Sequence, residues 1–193
     1  MKSSNSASRL TPWGFLSPSS TLLKFVGEIA RPGAATLDLA CGFGRNAILM
    51  AAHGCDVICA DRDLVRLRQL HTTKAALLER APNDVTPGRI SVVCADLTVG
   101  RWPFETSSFD VIIIVHFVRL ELFPFQIATL RVGGHLYFET FGGHGQNHLD
   151  LPRPGEVKAA LGVNFDLRYY EERAASRQHP QAVTAKALAR KLR

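Results

Sequence analysis

The chain has 193 residues, 46% of them hydrophobic, enough to bury one sizeable core and within the size range of a single domain. Its formal charge is +6, yet residues 1–166 carry 16 basic and 15 acidic side chains while residues 167–193 carry 7 and 2, so the excess sits in the tail and argues against a nucleic-acid platform over the body of the fold. No apolar run approaches the ~20 residues of a membrane span, and the four cysteines form no CxxC pair and no disulfide framework, which points to reduced, packed thiols and to the cytoplasm.

Residues 1–16 read as a mobile N-terminal segment. The first 27 residues contain no acid and are serine-rich, as a transit peptide is, but arginine is scarce there. Ser19 or Ser20 caps a helix that places Leu22, Leu23, Val26 and Ile29 on one face, and Pro32-Gly33 ends it. A regular alternation follows: strand Ala35–Ala40, helix Arg45–His53, strand Asp56–Asp61, helix Leu64–Arg80, strands Ile90–Cys94 and Phe109–Val115, and a helical stretch around Leu120–Leu130. This is the βαβα rhythm of a parallel sheet. The run Phe109–Val115 is apolar almost throughout, as in a central strand covered on both faces. Gly133-Gly134 leads into a strand, His135–Thr140, and a glycine-rich loop spans 142–145. A short helix with Pro in its first turn follows at Pro154–Leu161, then a strand at Phe165–Tyr170. By composition Ala182–Leu192 is a helix.

The chemistry concentrates at strand ends. Leu37-Asp38-Leu39-Ala40-Cys41-Gly42-Phe43-Gly44-Arg45-Asn46-Ala47 is a strand running into a glycine turn and a helix. Asp61 closes the next apolar run and Asp96 the one after. In an open α/β sheet, ligands bind beyond the carboxyl ends of the strands, so the three acids should converge on one crevice. Gly42 and Gly44 let the backbone approach a ligand, and Ala47 lets the helix approach the sheet. Asp61 is placed to accept from ribose hydroxyls, and Asp96 from the amino group of an adenine. A glycine turn alone also fits a dinucleotide site. Asp38 argues otherwise, since a carboxylate there repels a diphosphate and attracts a cationic, amino-acid-bearing ligand. His144 and His148 have helical spacing, but Phe141-Gly142-Gly143-His144-Gly145 is too glycine-rich for a helix, and no metal site is expected.

Leu37-Asp38-Leu39-Ala40-Cys41-Gly42-Phe43-Gly44 resembles the first signature of class I methyltransferases that use S-adenosylmethionine, with Ala40 in place of a more usual glycine. Asp61, Cys94-Ala95-Asp96-Leu97, Phe109-Asp110-Val111 and Leu130-Arg131-Val132-Gly133-Gly134 fall where that family has matching elements. The resemblance covers residues 18–140 well and the remainder loosely. It implies a doubly wound, Rossmann-like sheet of about seven strands, mostly parallel, closed by a C-terminal antiparallel hairpin, so that Ala182–Lys191 would be a strand against its composition. It implies a site in which Gly42 and Gly44 pack against the cofactor, Asp61 binds ribose, and Asp96 with Leu97 binds adenine. Leu151-Pro152-Arg153-Pro154-Gly155-Glu156 and Tyr169-Tyr170-Glu171-Glu172 resemble small bacterial members of the tellurite-resistance type.

The candidate cofactor-binding residues are Asp38, Ala40, Cys41, Gly42, Gly44, Asn46, Asp61, Arg62, Asp96, Leu97 and Val115. His116 follows the central strand directly and is the candidate general base, although in-line methyl transfer runs largely on alignment and a base is optional. Phe117, Arg119, Glu139 and His144 are candidates for the acceptor side. Val115-His116-Phe117-Val118 lacks the Asn/Asp-Pro-Pro-aromatic motif of enzymes that methylate nucleic-acid amino groups, which favours a small-molecule acceptor. A lid is expected from Trp13–Phe15 and the loop 141–152. Three other readings remain open: a non-catalytic S-adenosylmethionine-binding protein, an RNA methyltransferase that uses the basic tail, and an NAD(P)-dependent reductase. Oligomeric state and acceptor identity are not legible.

Overall fold

The computed structural model describes residues 17–79, 85–142 and 147–193. The expected lid residues Trp13–Phe15 and the acceptor candidate His144 lie outside the described residues.

Ser19 opens helix α1 (Ser20–Ile29), its Oγ accepting the Leu22 N–H at 3.2 Å. Leu22, Val26 and Ile29 are buried as the periodicity requires. Leu23 is half-exposed, because Thr21 takes the inward position and accepts from Lys186 Nζ at 3.1 Å.

The remaining elements alternate as expected over the first two thirds of the chain: β1 (Ala35–Leu39), α2 (Arg45–Ala52), β2 (Asp56–Asp61), α3 (Leu64–Leu78), β3 (Ile90–Cys94) and β4 (Phe109–Val115). After a 3₁₀ turn at Leu120–Leu122 come α4 (Phe123–Thr129), β5 (Leu130–Glu139), α5 (Glu156–Leu161), β6 (Phe165–Ala174) and β7 (Val183–Lys191). One sheet holds all seven strands in the order β3-β2-β1-β4-β5-β7-β6. β1 to β5 run parallel, and β7 lies antiparallel between β5 and β6. The order reverses between β1 and β4, the topological switch point where α/β sheets hold ligands.

Alternation along the strands divides the core in two. Val57, Cys59, Val111, Ile113 and Tyr137 pack under α1, α2 and α3 on one face. Leu37, Leu39, Ile112, Ile114, Leu136 and Phe138 pack with Phe123 of α4 and Val157 and Leu161 of α5 on the other. Asp38, between Leu37 and Leu39, therefore points to the α2 side of the sheet.

Two segments depart from expectation. β5 begins at Leu130, not His135: Leu130 pairs with Phe109, a bulge intervenes, and pairing resumes at Val111 with His135. Gly134 sits in that bulge, where an added Cβ would lie 2.8 Å from the Asp110 carbonyl oxygen. Val183–Lys191 is a strand, as the family resemblance implied and its composition did not. Ala185, Ala187 and Ala189 are buried at period 2 on the α4–α5 side, so tertiary burial overrides helix propensity. Lys191 ends that strand by donating from Nζ to the carbonyls of Ile127 and Leu130, each at 2.7 Å, which caps the C-terminus of α4.

Candidate functional site

Two cavities open side by side at the C-terminal ends of the parallel strands and share Ala40 and Asp61. One, of about 370 Å³, is lined by residues that include Asp38, Cys41, Gly42, Asn46, Val115 and His116. The other, of about 210 Å³, is lined by Arg62, Asp96, Leu97, Phe117 and Arg119 among others. Ten of the eleven cofactor-binding candidates thus line one or both of these adjoining cavities. Gly44 is the exception. Its φ of +72° suits glycine, and an added Cβ would lie 2.6 Å from Leu70 Cδ2, so this glycine serves the contact between the turn and α3 rather than the cavity wall.

Asp38 is 1% exposed and accepts the Ala47 N–H at 3.0 Å through Oδ2, satisfying one of the free amides at the start of α2. Burial pushes its carboxyl up to about 7; the Ala47 amide and Arg45 oppose that rise, and Asp61 adds to it. A buried carboxylate held at this edge of ionisation favours a cationic ligand, because a positive charge would offset the desolvation.

Asp61 is tied more closely to the turn than its place at a strand end announces. Oδ2 accepts the Gly42 N–H at 2.7 Å and Oδ1 the Asp63 N–H at 2.8 Å. The Gly42 amide therefore points at Asp61, not at a ligand. Asp96 is similarly ordered, with Oδ1 accepting from Thr98 N–H at 2.9 Å and Thr98 Oγ1 at 2.6 Å. These bonds hold its carboxyl below the usual carboxylate range, with help from Arg62 3.7 Å away. Ala40, where a glycine is usual, has φ +53°. The backbone there is left-handed, which is the physical reason for glycine at that position.

His116 lines the larger cavity immediately beyond β4, with φ +62° and its N–H donating to the Glu139 carbonyl at 2.8 Å. Its Nδ1 lies 3.3 Å from Arg45 Nη2. Partial burial, Arg45 and Lys186 lower its pKa, while Glu139 opposes them. Arg45, the first residue of α2, lines the same cavity and was not among the sequence candidates, although its position next to the glycine turn was the available signal. Arg66 is another: its guanidinium carbon lies 5.4 Å from the Phe43 ring centroid, and both residues line the larger cavity.

The acceptor-side candidates separate. Phe117 and Arg119 line the smaller cavity beside Asp61 and Asp96, not the one with His116. The Glu139 side chain lines neither cavity. It is 9% exposed and accepts hydrogen bonds from Ser19 Oγ, from Tyr137 OH at 2.6 Å and from Lys186 Nζ at 3.1 Å. Burial raises its pKa, but these three donors outweigh burial and hold the carboxyl below its ordinary value. Ser19 also donates its N–H to Asn46 Oδ1 at 2.9 Å, so this network joins the start of α1 to α2, β5 and β7. Cys41 and Cys59 are buried, and their mutual hydrogen bond together with burial raises the Cys41 thiol pKa and keeps it protonated, which removes it as a nucleophile. No cluster of potential metal ligands occurs among the described residues, and no helix among them is long and apolar enough to cross a membrane.

Residues 36–130 match the sequence profile of a family described as a methyltransferase domain. A search of curated proteins finds no match. Among solved structures, a SAM-dependent methyltransferase of Methanosarcina mazei shares 19% identity at a TM-score of 0.64, over 92% of this chain and 99% of its own. TehB of Haemophilus influenzae shares 20% at 0.62, over 89% of this chain and 61% of its own. The [4+2]-cyclase SpnF shares 13% at 0.62, over 89% and 81%.

Proposed function

We propose that the stretch from residue 36 to residue 130 is a methyltransferase domain on the class I fold and that the protein is an enzyme that methylates a small-molecule acceptor with S-adenosylmethionine. The observation that carries this reading is the pair of adjoining cavities at the switch point, with buried Asp38 in one and Asp96 with Leu97 in the other. S-adenosylmethionine supplies, when bound, a methyl group on a sulfonium sulfur.

In this reading Asp38 takes the cofactor's ammonium, Asp61 its ribose hydroxyls, and Asp96, Leu97 and Arg62 its adenine. Asp61 has both oxygens engaged by backbone N–H groups, but each carboxylate oxygen has a further lone pair for a ribose hydroxyl. Ala40, Cys41, Gly42, Asn46 and Val115 shape the wall between the two ends, and His116 meets the acceptor at the mouth. The chain accelerates transfer chiefly by alignment, which is worth up to ~7–11 kcal/mol. Four free cysteines support a reducing compartment, the cytoplasm.

An RNA acceptor is disfavoured by the way the basic tail is used. Arg168 pairs with Glu28 and Asp166, Arg173 with Glu171, Lys186 with Glu139, and Lys191 binds carbonyls, so much of the tail's charge is matched internally. Calorimetric titration with S-adenosylmethionine and S-adenosylhomocysteine, with NADH and NADPH as controls, followed by labelled-methyl transfer to small acceptors, separates these readings. Binding with turnover supports the proposal, binding without turnover on any acceptor supports the non-catalytic reading, and nicotinamide binding overturns both.

A further inference from the structure

The 3.3 Å approach of Arg45 Nη2 to His116 Nδ1 decides where the histidine carries its proton. A guanidinium has only donors, so Nδ1 must accept, and in the neutral ring the remaining proton sits on Nε2. The lone pair that a general base would use is then already engaged. The ring is also aimed by the backbone: His116 holds a left-handed φ of +62° at the end of β4, fixed by its N–H to the Glu139 carbonyl.

We propose that His116 donates a hydrogen bond through Nε2–H to an acceptor atom that arrives already deprotonated, with Arg45 as the residue that sets the tautomer, so that the acceptor class is a small anion such as a thiolate, phenolate or carboxylate. The proposal rests on reading the crevice as the S-adenosylmethionine site. The charged groups around the ring agree with it. Arg45 reaches it from α2 and makes the mouth favourable to an anion, while Lys186 of β7 acts on the ring but is paired with Glu139 at 3.1 Å. Glu139, from β5, has its carboxylate committed to Ser19, Tyr137 and Lys186, and the other acids of this cavity, Asp38 and Asp61, are held by the backbone amides of Ala47, Gly42 and Asp63. The lowered pKa of His116 keeps the ring neutral near pH 7, as the tautomer argument needs.

The transfer step balances without a base. The electron pair of the anion forms the bond to the methyl carbon, the carbon–sulfur bond breaks, and its pair stays on sulfur. One negative and one positive charge disappear, and no proton leaves. An alcohol or an ammonium group would have to lose a proton, and Nδ1 is not free to take it.

Because the acceptor's charge fades in the transition state, the Nε2–H bond acts on binding more than on chemistry. Two measurements on the full chain test this. First, nitrogen-15 NMR of histidine-labelled protein, with His116 assigned by its loss in His116→Gln, should show the Nε2–H tautomer, and Arg45→Met should convert it to a mixture while Arg45→Lys largely retains it. An Nδ1–H tautomer in the unaltered protein, or no response to Arg45→Met, overturns the proposal whatever the cofactor is. Second, transfer to a series of ring-substituted thiophenols should show a pH midpoint that follows each thiol's own ionisation. His116→Ala should raise KM roughly tenfold without lowering kcat, since a bond that fades toward the transition state is lost mainly from the ground state, and His116→Gln, which keeps a donor, should restore part of the affinity. A common midpoint for all thiols, or a kcat loss of roughly a hundredfold or more at unchanged KM, makes His116 the general base and overturns the proposal. Protein that binds S-adenosylmethionine yet methylates no thiolate, phenolate or carboxylate overturns the acceptor class. Protein that does not bind S-adenosylmethionine overturns the cofactor reading and leaves the NMR result to decide the tautomer.

Discussion

Asp61 accepts the backbone N–H of Gly42 at 2.7 Å, so the acid that ends β2 also holds the turn that ends β1. Asp61→Ala should therefore do two things at once: weaken S-adenosylmethionine binding by about 1–3 kcal/mol and lower the melting temperature of the free protein. Asp61→Asn keeps one acceptor oxygen for the amide and should lose less stability than affinity. Calorimetry and thermal unfolding on the same samples make the comparison, and an Asp61→Ala protein with unchanged affinity would place this carboxylate outside the site.

Burial lifts the Asp38 carboxyl to about 7 from its ordinary 3.8. The folded state then holds a proton that the unfolded state has released, so the associated stability is fully present below the unfolded value and is lost as pH rises through the folded one. Stability of the free protein should thus decline between those two values. An ammonium ligand favours the ionised carboxylate, so S-adenosylmethionine affinity should climb over the same range and level off above it. Asp38→Asn should flatten both trends, with denaturation and calorimetry as a function of pH as the readout. An affinity that falls with rising pH would rule out the carboxylate–ammonium contact.

Ala40 is strained where a glycine would not be, at φ +53°. A left-handed alanine costs about 1–2 kcal/mol, while glycine returns roughly 0.4–1 kcal/mol of that through the freedom of the unfolded chain. Ala40→Gly should leave the protein slightly more stable, by about 0.5–1 kcal/mol. Chemical denaturation measures the difference, and a destabilised variant would show that the methyl of Ala40 packs against something more valuable than relaxed backbone.

The parallel half of the sheet was readable because each strand is a short apolar run ended by an acid or a turn, and β2, β3 and β4 match their expected bounds. β7 was not readable from composition, since alanine, lysine and arginine favour a helix. The period-2 placement of Ala185, Ala187 and Ala189 was the available signal, and burial under α4 and α5 decides it. The site divides the same way. Residues that line the crevice through main-chain position, such as Gly42 and Leu97, follow from motif and order. Glu139 does not, because its fate depends on Ser19, 120 residues away, and on Lys186 of the neighbouring strand. Arg45 and His116 meet across 71 residues, a relation no local pattern encodes.

Lys186 donates to Glu139 and to Thr21 while the Glu139 side chain stays nearly enclosed. Lys186→Met leaves that carboxylate with two neutral donors and should cost about 1–3 kcal/mol, more than Glu139→Gln, which removes the charge together with its need for a cation. The Glu139 pKa lies below its unfolded value, so this contribution is present above the ordinary glutamate pKa and vanishes as pH falls through the folded one. The gap between wild type and Lys186→Met should therefore close on the acid side. Urea denaturation at neutral and acid pH checks both statements, and a gap that widens in acid would assign Lys186 a different partner.

Gly42 and Gly44 look equivalent in sequence and are not equivalent in space. Both have left-handed backbone, with φ of +57° and +72°, so either change to alanine carries the same intrinsic strain of about 1–2 kcal/mol. At Gly42 the added methyl meets nothing nearer than Arg66 Nη1 at 3.8 Å, an ordinary contact with a mobile side chain. At Gly44 it would lie 2.6 Å from Leu70 Cδ2 and 2.7 Å from Cδ1, and Leu70 is 1% exposed, so its side chain must shift within the core. Overpacking of that kind adds about 1–3 kcal/mol, so Gly44→Ala should be the more damaging change to stability. Gly42→Ala should instead fall mainly on cofactor affinity, because Gly42 lines the larger cavity and its amide is the one Asp61 holds. A double-mutant cycle makes the argument quantitative: Leu70→Ala should relieve part of the cost of Gly44→Ala and none of the cost of Gly42→Ala. Equal coupling of Leu70 to both glycines would mean that the turn shifts as a unit and that the contact with α3 is not specific to Gly44.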